Sequence, residues 1–456
     1  MYPSENLPVL FLVMEFAPVN TTGNFRSLKF IKYLAGFGIN PIIVTFKKEE
    51  AAKYLKAKID NRLLEEIPKG TALYRIHCKD GDKYYRNRLR SFITIFFSIK
   101  DNLAKRWKKN LFSELEIIIA RHQPKLIFTT LPPFSSGMLA VKVSENFKLP
   151  LIVDMRDCWA MWGNKPFASK IHYWLTIFEE RKIFNKASAV IGVTPQLINT
   201  FQKSHIEINK SKFYYIPNGF DKEPDYLNDF VFEPDKNKIV IGYVGSFYYS
   251  PQNRENIFKP WWKKRLHEFF QYVPVKEDWL YRSPYFFFRT IALLFDTYPE
   301  MKKKVFMEFV GNKPEWFDQM ANEFGLSGNI KSYGFVPHET AIELQGNFDL
   351  VLATSEKVIE GEHYCLPSKT FDYISLNKPI VGFVTDGIQK EFILKSGSGI
   401  ILNPDEPVDA VEQLMDLFNQ GKKFKLNKEY LDSFKREALS KKLSNLFNEI
   451  AAVKSF

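Results

Sequence analysis

At 456 residues and 45% hydrophobic, the chain is long enough for two domains with separate cores and too apolar to be disordered. A net charge of +12 asks for an anionic partner, and charge alone leaves nucleic acid, an acidic lipid leaflet and phosphorylated substrates open. Cys78, Cys158 and Cys365 lack paired or metal-type spacing, which excludes a disulfide scaffold and suits a reducing cytoplasm, and no stretch reads as a signal peptide or as the roughly 20-residue apolar run that spans a bilayer.

The apolar run Pro8 to Met14 predicts a first strand. A loop through Thr21-Thr22-Gly23-Asn24 leads to a helix from Phe25 to Gly36, on which Phe25, Leu28, Ile31 and Leu34 recur at helical spacing, and Pro41 to Thr45 predicts the next strand. One glycine in the loop is no dinucleotide fingerprint, and a simple tight turn accounts for it. From Tyr84 to Lys109 the rhythm changes: Arg86, Arg88, Arg90, Lys105 and Lys108 interleave with Phe92, Phe96, Phe97 and Trp107. A basic helix with an aromatic face reads as a membrane-surface segment, the alternative being a helix pair that covers the core with lysines at its rim.

Strands are predicted at Leu126 to Thr130 and Leu149 to Val153, with a helix from Met138 between them. The second strand ends in Asp154-Met155-Arg156-Asp157-Cys158-Trp159. Carboxylates and an arginine at the carboxyl end of a parallel strand lie where such sheets bind ligands, and they can hold a sugar hydroxyl or a phosphate. Glu179 and Glu180 precede a helix ending near Lys186. Ala189 to Val193 and Phe213 to Ile216 predict further strands, the latter running into Pro217-Asn218-Gly219, which asks for a tight turn with positive φ. Lys238 to Val244 opens a second series: Gly245-Ser246-Phe247-Tyr248, a helix from Phe286 to Phe295, and strands at Val305 to Val310, Ile330 to Tyr333 and Leu350 to Ala353.

The segment Cys365 to Val384 carries the most chemistry. Pro367 pre-sets a first helical turn and Ser368 can cap it, leaving outward backbone N–H groups that attract phosphate. Lys369 and Asp372 share one face of that helix, a cation near the anion-binding end and a carboxylate behind it. This suits a diphosphate followed by a ribose; an amphipathic helix with solvated charges fits the same residues. Asn377 can close the helix in the left-handed region, Pro379 stops it, and Ile380 to Val384 reads as a buried strand. Leu431 to Phe456 predicts terminal helices with an apolar stripe of Phe434, Leu439, Leu443, Leu446 and Ile450.

Leu366-Pro367-Ser368-Lys369 with Asp372-Tyr373, followed by Lys378-Pro379-Ile380, resembles the donor-binding segment of glycosyltransferases of the GT-B fold, family 4 and its relatives. The Asp154-x-Arg156-Asp157-x-Trp159 string is similar to one in bacterial family 4-like transferases, and Pro217-Asn218-Gly219-x-Asp221 to the end of that family's N-terminal domain. The resemblance implies that Asp372 holds the nucleotide ribose and that Lys369 and Arg282 face the diphosphate. It places Gly23 in the loop that approaches the donor phosphates, Asn24 and Arg26 on the acceptor side, and Gly245, Ser246 and Ser368 along the donor. Phe335 and Val336 would line the nucleobase through their backbone. The family's second carboxylate falls at Tyr364, so Glu362 or Glu360 is expected to take its part. Arg156 stands where many relatives have a catalytic histidine, with Asp154 and Asp157 beside it as catalytic candidates. Against the family pattern, residues 250–281 are an insertion carrying Trp261, Trp262 and Trp279.

The expectation is therefore an α/β chain of GT-B fold: two Rossmann-like, doubly wound parallel-sheet domains facing a cleft. The first, 1–225, would bind the acceptor and be completed by 431–456, whose last helix crosses back to it. A polar linker, Asp221 to Lys238, would lead to the second, 236–430, which binds the nucleotide-sugar. The implied activity is a retaining transfer from a UDP- or GDP-sugar to a lipid-linked or growing polysaccharide acceptor. No cofactor or metal is expected, the histidines being scattered. The protein would be cytoplasmic, peripheral to an anionic membrane surface, with no nucleic-acid partner. A sugar-nucleotide epimerase of the same fold and a non-catalytic saccharide- or membrane-binding protein are the alternatives.

Overall fold

Two parallel sheets organise the chain, and the inner strands of each are apolar runs because helices cover both of its faces. The computed structural model describes residues 6–78, 103–164, 166–221, 228–233, 237–265 and 268–453. The first sheet comprises β1 (Leu7–Leu12), β2 (Ile39–Phe46), β3 (Ala72–Ile76), β4 (Leu126–Leu131), β5 (Leu151–Met155), β6 (Ala189–Gly192) and β7 (Phe213–Tyr215), in the order β3-β2-β1-β4-β5-β6-β7. The second comprises β8 (Ile239–Val244), β9 (Val305–Val310), β10 (Ile330–Gly334), β11 (Leu350–Thr354), β12 (Ile380–Phe383) and β13 (Gly399–Ile401), in the order β10-β9-β8-β11-β12-β13. Strand order reverses between β1 and β4 in one sheet and between β8 and β11 in the other. Both are therefore doubly wound.

The helices that matter here are α1 (Thr22–Leu34), α2 (Leu103–His122), α3 (Ser135–Phe147), α4 (Lys170–Lys186), α5 (Tyr285–Thr297), α6 (Ser368–Ser375) and α7 (Arg436–Val453). On one face of the first sheet, Trp107, Leu111 and Leu115 of α2 pack with Leu10, Leu12 and Val44. On the other, Leu28 and Ile31 of α1 and Leu439, Leu443 and Phe447 of α7 pack on Val9 and Phe11. The chain's last helix thus crosses back and completes a core laid down by its first strand. Phe447 meets the rings of Phe11 and Phe128 edge-on, at 6.0 and 5.7 Å.

The crossings between the domains lie side by side. The Phe220 amide donates to the Phe434 carbonyl at 3.2 Å, and the Arg436 amide to the Phe220 carbonyl at 3.1 Å. Asp221 binds Arg436 at 2.9 Å and Lys29 of α1 at 2.8 Å. Gly219 does not adopt the positive φ that Pro217-Asn218-Gly219 suggested; its requirement is for space, since a Cβ there would collide with the Phe434 carbonyl.

The basic and aromatic stretch Tyr84 to Lys109 lies outside the described residues up to Asn102. Its remainder begins α2, where Trp107 is fully buried and edge-on to Phe46 at 4.6 Å while Lys105 and Lys108 are exposed. That end is a core helix with lysines at its rim, the alternative reading of the segment. Glu179 and Glu180 lie within α4 rather than before it. Edge strand β3 had no sequence signal, its half-buried residues giving neither a continuous apolar run nor a clean alternation.

The insertion 250–281 crosses from one domain to the other. Glu277–Asp278 pairs antiparallel with Lys357–Val358 of the second domain. Tyr272 exchanges backbone hydrogen bonds of 2.8 and 3.1 Å with Phe167 of the first.

Candidate active site between the two sheets

Ligands of doubly wound sheets bind beyond the strand ends where the order reverses, and both reversals here carry charge. In the first sheet, Arg156, just past β5, donates from Nη2 to Glu15 Oε1 at 2.8 Å and also to the Pro132 carbonyl. Thr21 caps α1, accepting from the Asn24 amide at 3.2 Å, and its hydroxyl donates to Glu15 Oε2 at 2.8 Å. Gly23 makes room for this ion pair, because a Cβ would collide with both Glu15 and Arg156. Asp157 is open to solvent yet walled by both domains. Although its surface is exposed, the walls of the cleft crowd out part of its water and push its carboxyl above the ordinary aspartate range, with Glu356 and Glu15 adding to the effect and Arg156 and Arg282 opposing it.

Asp154, Arg26 and Asn24 are not part of the open cleft, contrary to the sequence expectation. Asp154 sits within β5 on the same face as Ile152, under α1, and is fully buried. Its oxygens accept from Arg26 Nε at 2.9 Å, Arg26 Nη2 at 2.8 Å and Thr130 Oγ1 at 2.7 Å. Arg26 directs its other donors to the carbonyls of Ile216 and Pro217, both at 2.8 Å, and to Asn218 Oδ1 at 3.2 Å. No N–H remains for an acceptor, so the residue acts as a clamp between β5 and the chain leaving β7. Asn24 is fully buried and donates to the Val19 carbonyl at 2.9 Å.

In the second sheet, β8 ends in Gly245, held at φ 126° with its amide on the Val310 carbonyl at 2.8 Å. Ser246 follows, its carbonyl accepting from the Tyr243 hydroxyl at 3.3 Å. Helix α6 starts close by, with Pro367 in the cap position at ψ 140° and exposed Ser368 as the first helical residue. Ser368 therefore does not cap the helix; the proline took the extended position that a cap requires. Lys369 reaches back so that Nζ lies 3.7 Å from the centre of the Tyr243 ring, where a Cβ added to Gly245 would meet it at 4.0 Å. Burial first, and then the charge of Arg282, hold its ammonium well below the ordinary lysine range.

Arg282 is the second cation. It is buried, packs over Trp279 at 5.1 Å and pairs through Nη1 with Glu356 Oε2 at 2.7 Å. Glu356 lies just past β11 and meets His363 Nε2 at 3.1 Å with its other oxygen. Burial alone would raise the carboxyl of Glu356, but Arg282 and His363 outweigh it and hold it below the ordinary range. The carboxylate beside the donor-side cations is thus Glu356, while Glu362 and Glu360 are exposed on the loop beyond it. Its place past the end of the Leu350–Thr354 strand was the signal that would have found it. Asn377 closes α6 at φ 53°, as its sequence suggested. Asp372 is exposed on α6, Val336 is half-buried, and the exposed ring of Phe335 receives Lys58 of the first domain at 4.2 Å.

Tyr364, where the resemblance would place a carboxylate, plugs the seam between the domains. Its carbonyl accepts from Thr194 Oγ1 at 2.7 Å, its hydroxyl donates to Glu277 Oε1 at 3.1 Å, and its ring joins the core of the first domain. Glu277 comes from the insertion and also accepts from Trp279 Nε1 at 2.8 Å. Burial, with Glu356 adding, pushes its carboxyl up to about 7. Cys365 beside it is pushed up to about 12, mainly by burial. Among the described residues no group of His, Cys, Asp and Glu has the arrangement of a metal site.

Residues 289–436 match the family described as Glycosyl transferases group 1. No curated protein matches the sequence. Among solved structures, the chain is similar to sucrose-phosphate synthase from Thermosynechococcus elongatus, with 14% identity and a TM-score of 0.60 over 98% of this chain and 100% of that one. It is similar also to the lipopolysaccharide outer core galactosyltransferase WaaB in its apo form, with 11% identity and a TM-score of 0.55 over 99% and 100%. HepE of Anabaena, in complex with UDP, gives 12% identity and a TM-score of 0.51 over 98% of each chain. The whole chain therefore has the GT-B fold, and the stretch that holds Glu356, Lys369 and Asp372 is the part that matches the group 1 glycosyl transferase family.

Proposed function

We propose that the protein transfers a sugar from a UDP- or GDP-sugar to a lipid-linked or growing polysaccharide acceptor, with retention at the anomeric carbon. The observation that carries this reading is the convergence of Arg282 and Lys369 beside Gly245 at the reversal of the second sheet, across from Asp157 of the first. The diphosphate lies against the two cations, Asp372 takes the ribose, and the backbone of Phe335 and Val336 takes the base. In the transfer, the bond from the anomeric carbon to the diphosphate breaks as the acceptor oxygen bonds on the same face. The acceptor's proton passes to the leaving phosphate oxygen. Fixed positive charge from Arg282 and Lys369 then stabilises the leaving group, with no metal required. Arg156 and Asp157 face the acceptor side of the cleft, and the reaction takes place at the inner face of the cytoplasmic membrane.

The test uses Asp372→Asn with a ribonucleotide donor and its 2′-deoxy analogue. Calorimetry is expected to show a loss of about 1.5–3 kcal/mol for the ribose form and a much smaller one for the analogue, which already lacks one hydroxyl. Equal losses for both donors would remove Asp372 from the ribose site and the donor reading with it.

A further inference from the structure

Helix α4 is built inside out. Its first three turns bury His172, Thr176 and Glu180, while Ile171, Trp174, Leu175 and Phe178, at spacings of three and four, are exposed, Trp174 by 55% and Phe178 by 59%. Two of the inner polar side chains are engaged: Glu180 pairs with His205 at 2.7 Å, and Thr176 donates to the His172 carbonyl at 2.9 Å. The apolar stripe therefore faces away from the core of its own domain.

The insertion lies against the start of this helix. The Tyr272 ring is 4.7 Å from that of Tyr173, and the Lys170 ammonium lies within cation–π range of both Trp174, at 5.4 Å, and Tyr272, at 5.9 Å. Just before Tyr272, Phe269 and Phe270 are exposed. The turn that precedes them is tied by Glu268, which accepts from the Arg265 amide at 2.7 Å and holds Lys259 at 3.5 Å. That turn presents Trp261 and Trp262, 70% and 67% exposed, next to exposed Lys263 and Arg265.

We propose that the apolar face of α4 and residues 259–265 and 268–272 of the insertion together form a docking surface for an anionic lipid bilayer. Apolar exposure on this scale needs a cover. Tryptophan and phenylalanine side chains flanked by lysine and arginine suit the boundary between acyl chains and anionic headgroups. The chain's charge of +12 favours the same partner, and a second copy would set these basic residues against their own kind. Helix α4 follows directly on the loop that carries Asp157, so the bilayer would lie on the acceptor side of the cleft.

The surface is tested with the full chain and no donor present, so its failure leaves the glycosyl-transfer reading untouched. Phosphatidylcholine vesicles containing phosphatidylglycerol are expected to co-sediment the protein, less so as salt rises, and pure phosphatidylcholine vesicles far more weakly. The paired substitutions Trp174→Ser with Phe178→Ser, Trp261→Ser with Trp262→Ser, and Lys263→Glu with Arg265→Glu should each weaken binding by about tenfold or more. Their melting temperatures should be unchanged because the side chains are exposed. Unchanged binding by all three folded variants would overturn the proposal. So would a dimer in light scattering that these substitutions abolish, which would assign the face to a second copy.

Discussion

Replacing Asp154 with alanine would leave the guanidinium of Arg26 buried without its counter-ion. The lost pair is bidentate, with contacts of 2.9 and 2.8 Å between groups of which Asp154 is fully buried. Breaking such a pair from one side costs about 3–5 kcal/mol, because the remaining charge cannot reach water. Thr130 loses its acceptor at 2.7 Å as well, worth about 1 kcal/mol more. The expected loss of roughly 4–6 kcal/mol is a large share of the 5–15 kcal/mol that holds a domain folded. Urea unfolding followed by circular dichroism would measure it. Arg26→Met combined with Asp154→Leu should cost less than the sum of the single changes, since no unpaired charge is left. Suppose instead that Asp154→Ala unfolds within about 1 kcal/mol of the parent and binds donor normally but transfers no sugar. That outcome would refute the clamp and return Asp154 to the chemistry.

Lys369 has a lowered pKa in the free cleft, and a bound diphosphate would raise it, so donor binding takes up a proton between the two values. Affinity should then fall as pH rises through that window toward 10.5, by up to about tenfold per pH unit, and calorimetry in buffers of different ionisation enthalpy should register the uptake. Lys369→Met should abolish the slope; an equal slope in the variant would refute the assignment. Glu277 titrates at about 7 in the fold against 4.5 unperturbed, so the stability it contributes is complete below 4.5 and is lost as pH rises through 7. The difference corresponds to at most about 3 kcal/mol, and Glu277→Gln should flatten the decline seen in denaturant midpoints between those pH values.

The inner strands of the sheets were legible because they are buried on both faces and appear as unbroken apolar runs. Val305–Val310 coincides with the expected strand and the other expected strands shift by a residue or a few, whereas β3 and β13 were not expected. The helix between Pro367 and Asn377 was legible too, since proline pre-sets its first turn and asparagine closes it in the left-handed region. What could not be read was which charged side chains face inward. Asp154 and Asp157 are three positions apart, yet one lies inside a strand under a helix and the other lies past its end, and only the packing of α1 decides between them. Glu356 and Glu277 escaped notice for a similar reason. Their partners Arg282, His363 and Tyr364 arrive from other elements; Glu356 had only its place past a strand end to mark it, and Glu277 stands in no local pattern at all.

The return of α7 also sets an order of events during synthesis. The first sheet is complete in sequence by Tyr215, but one of its faces awaits Leu439, Leu443 and Phe447. At about 5–20 residues per second, the translating chain carries Val9, Phe11 and Leu28 without that cover for tens of seconds after β7 has been made. The nascent amino-terminal half thus keeps an uncovered apolar face of the kind that favours aggregation until α7 has been made. A truncation that removes only α7 would harm the domain farthest from it in sequence.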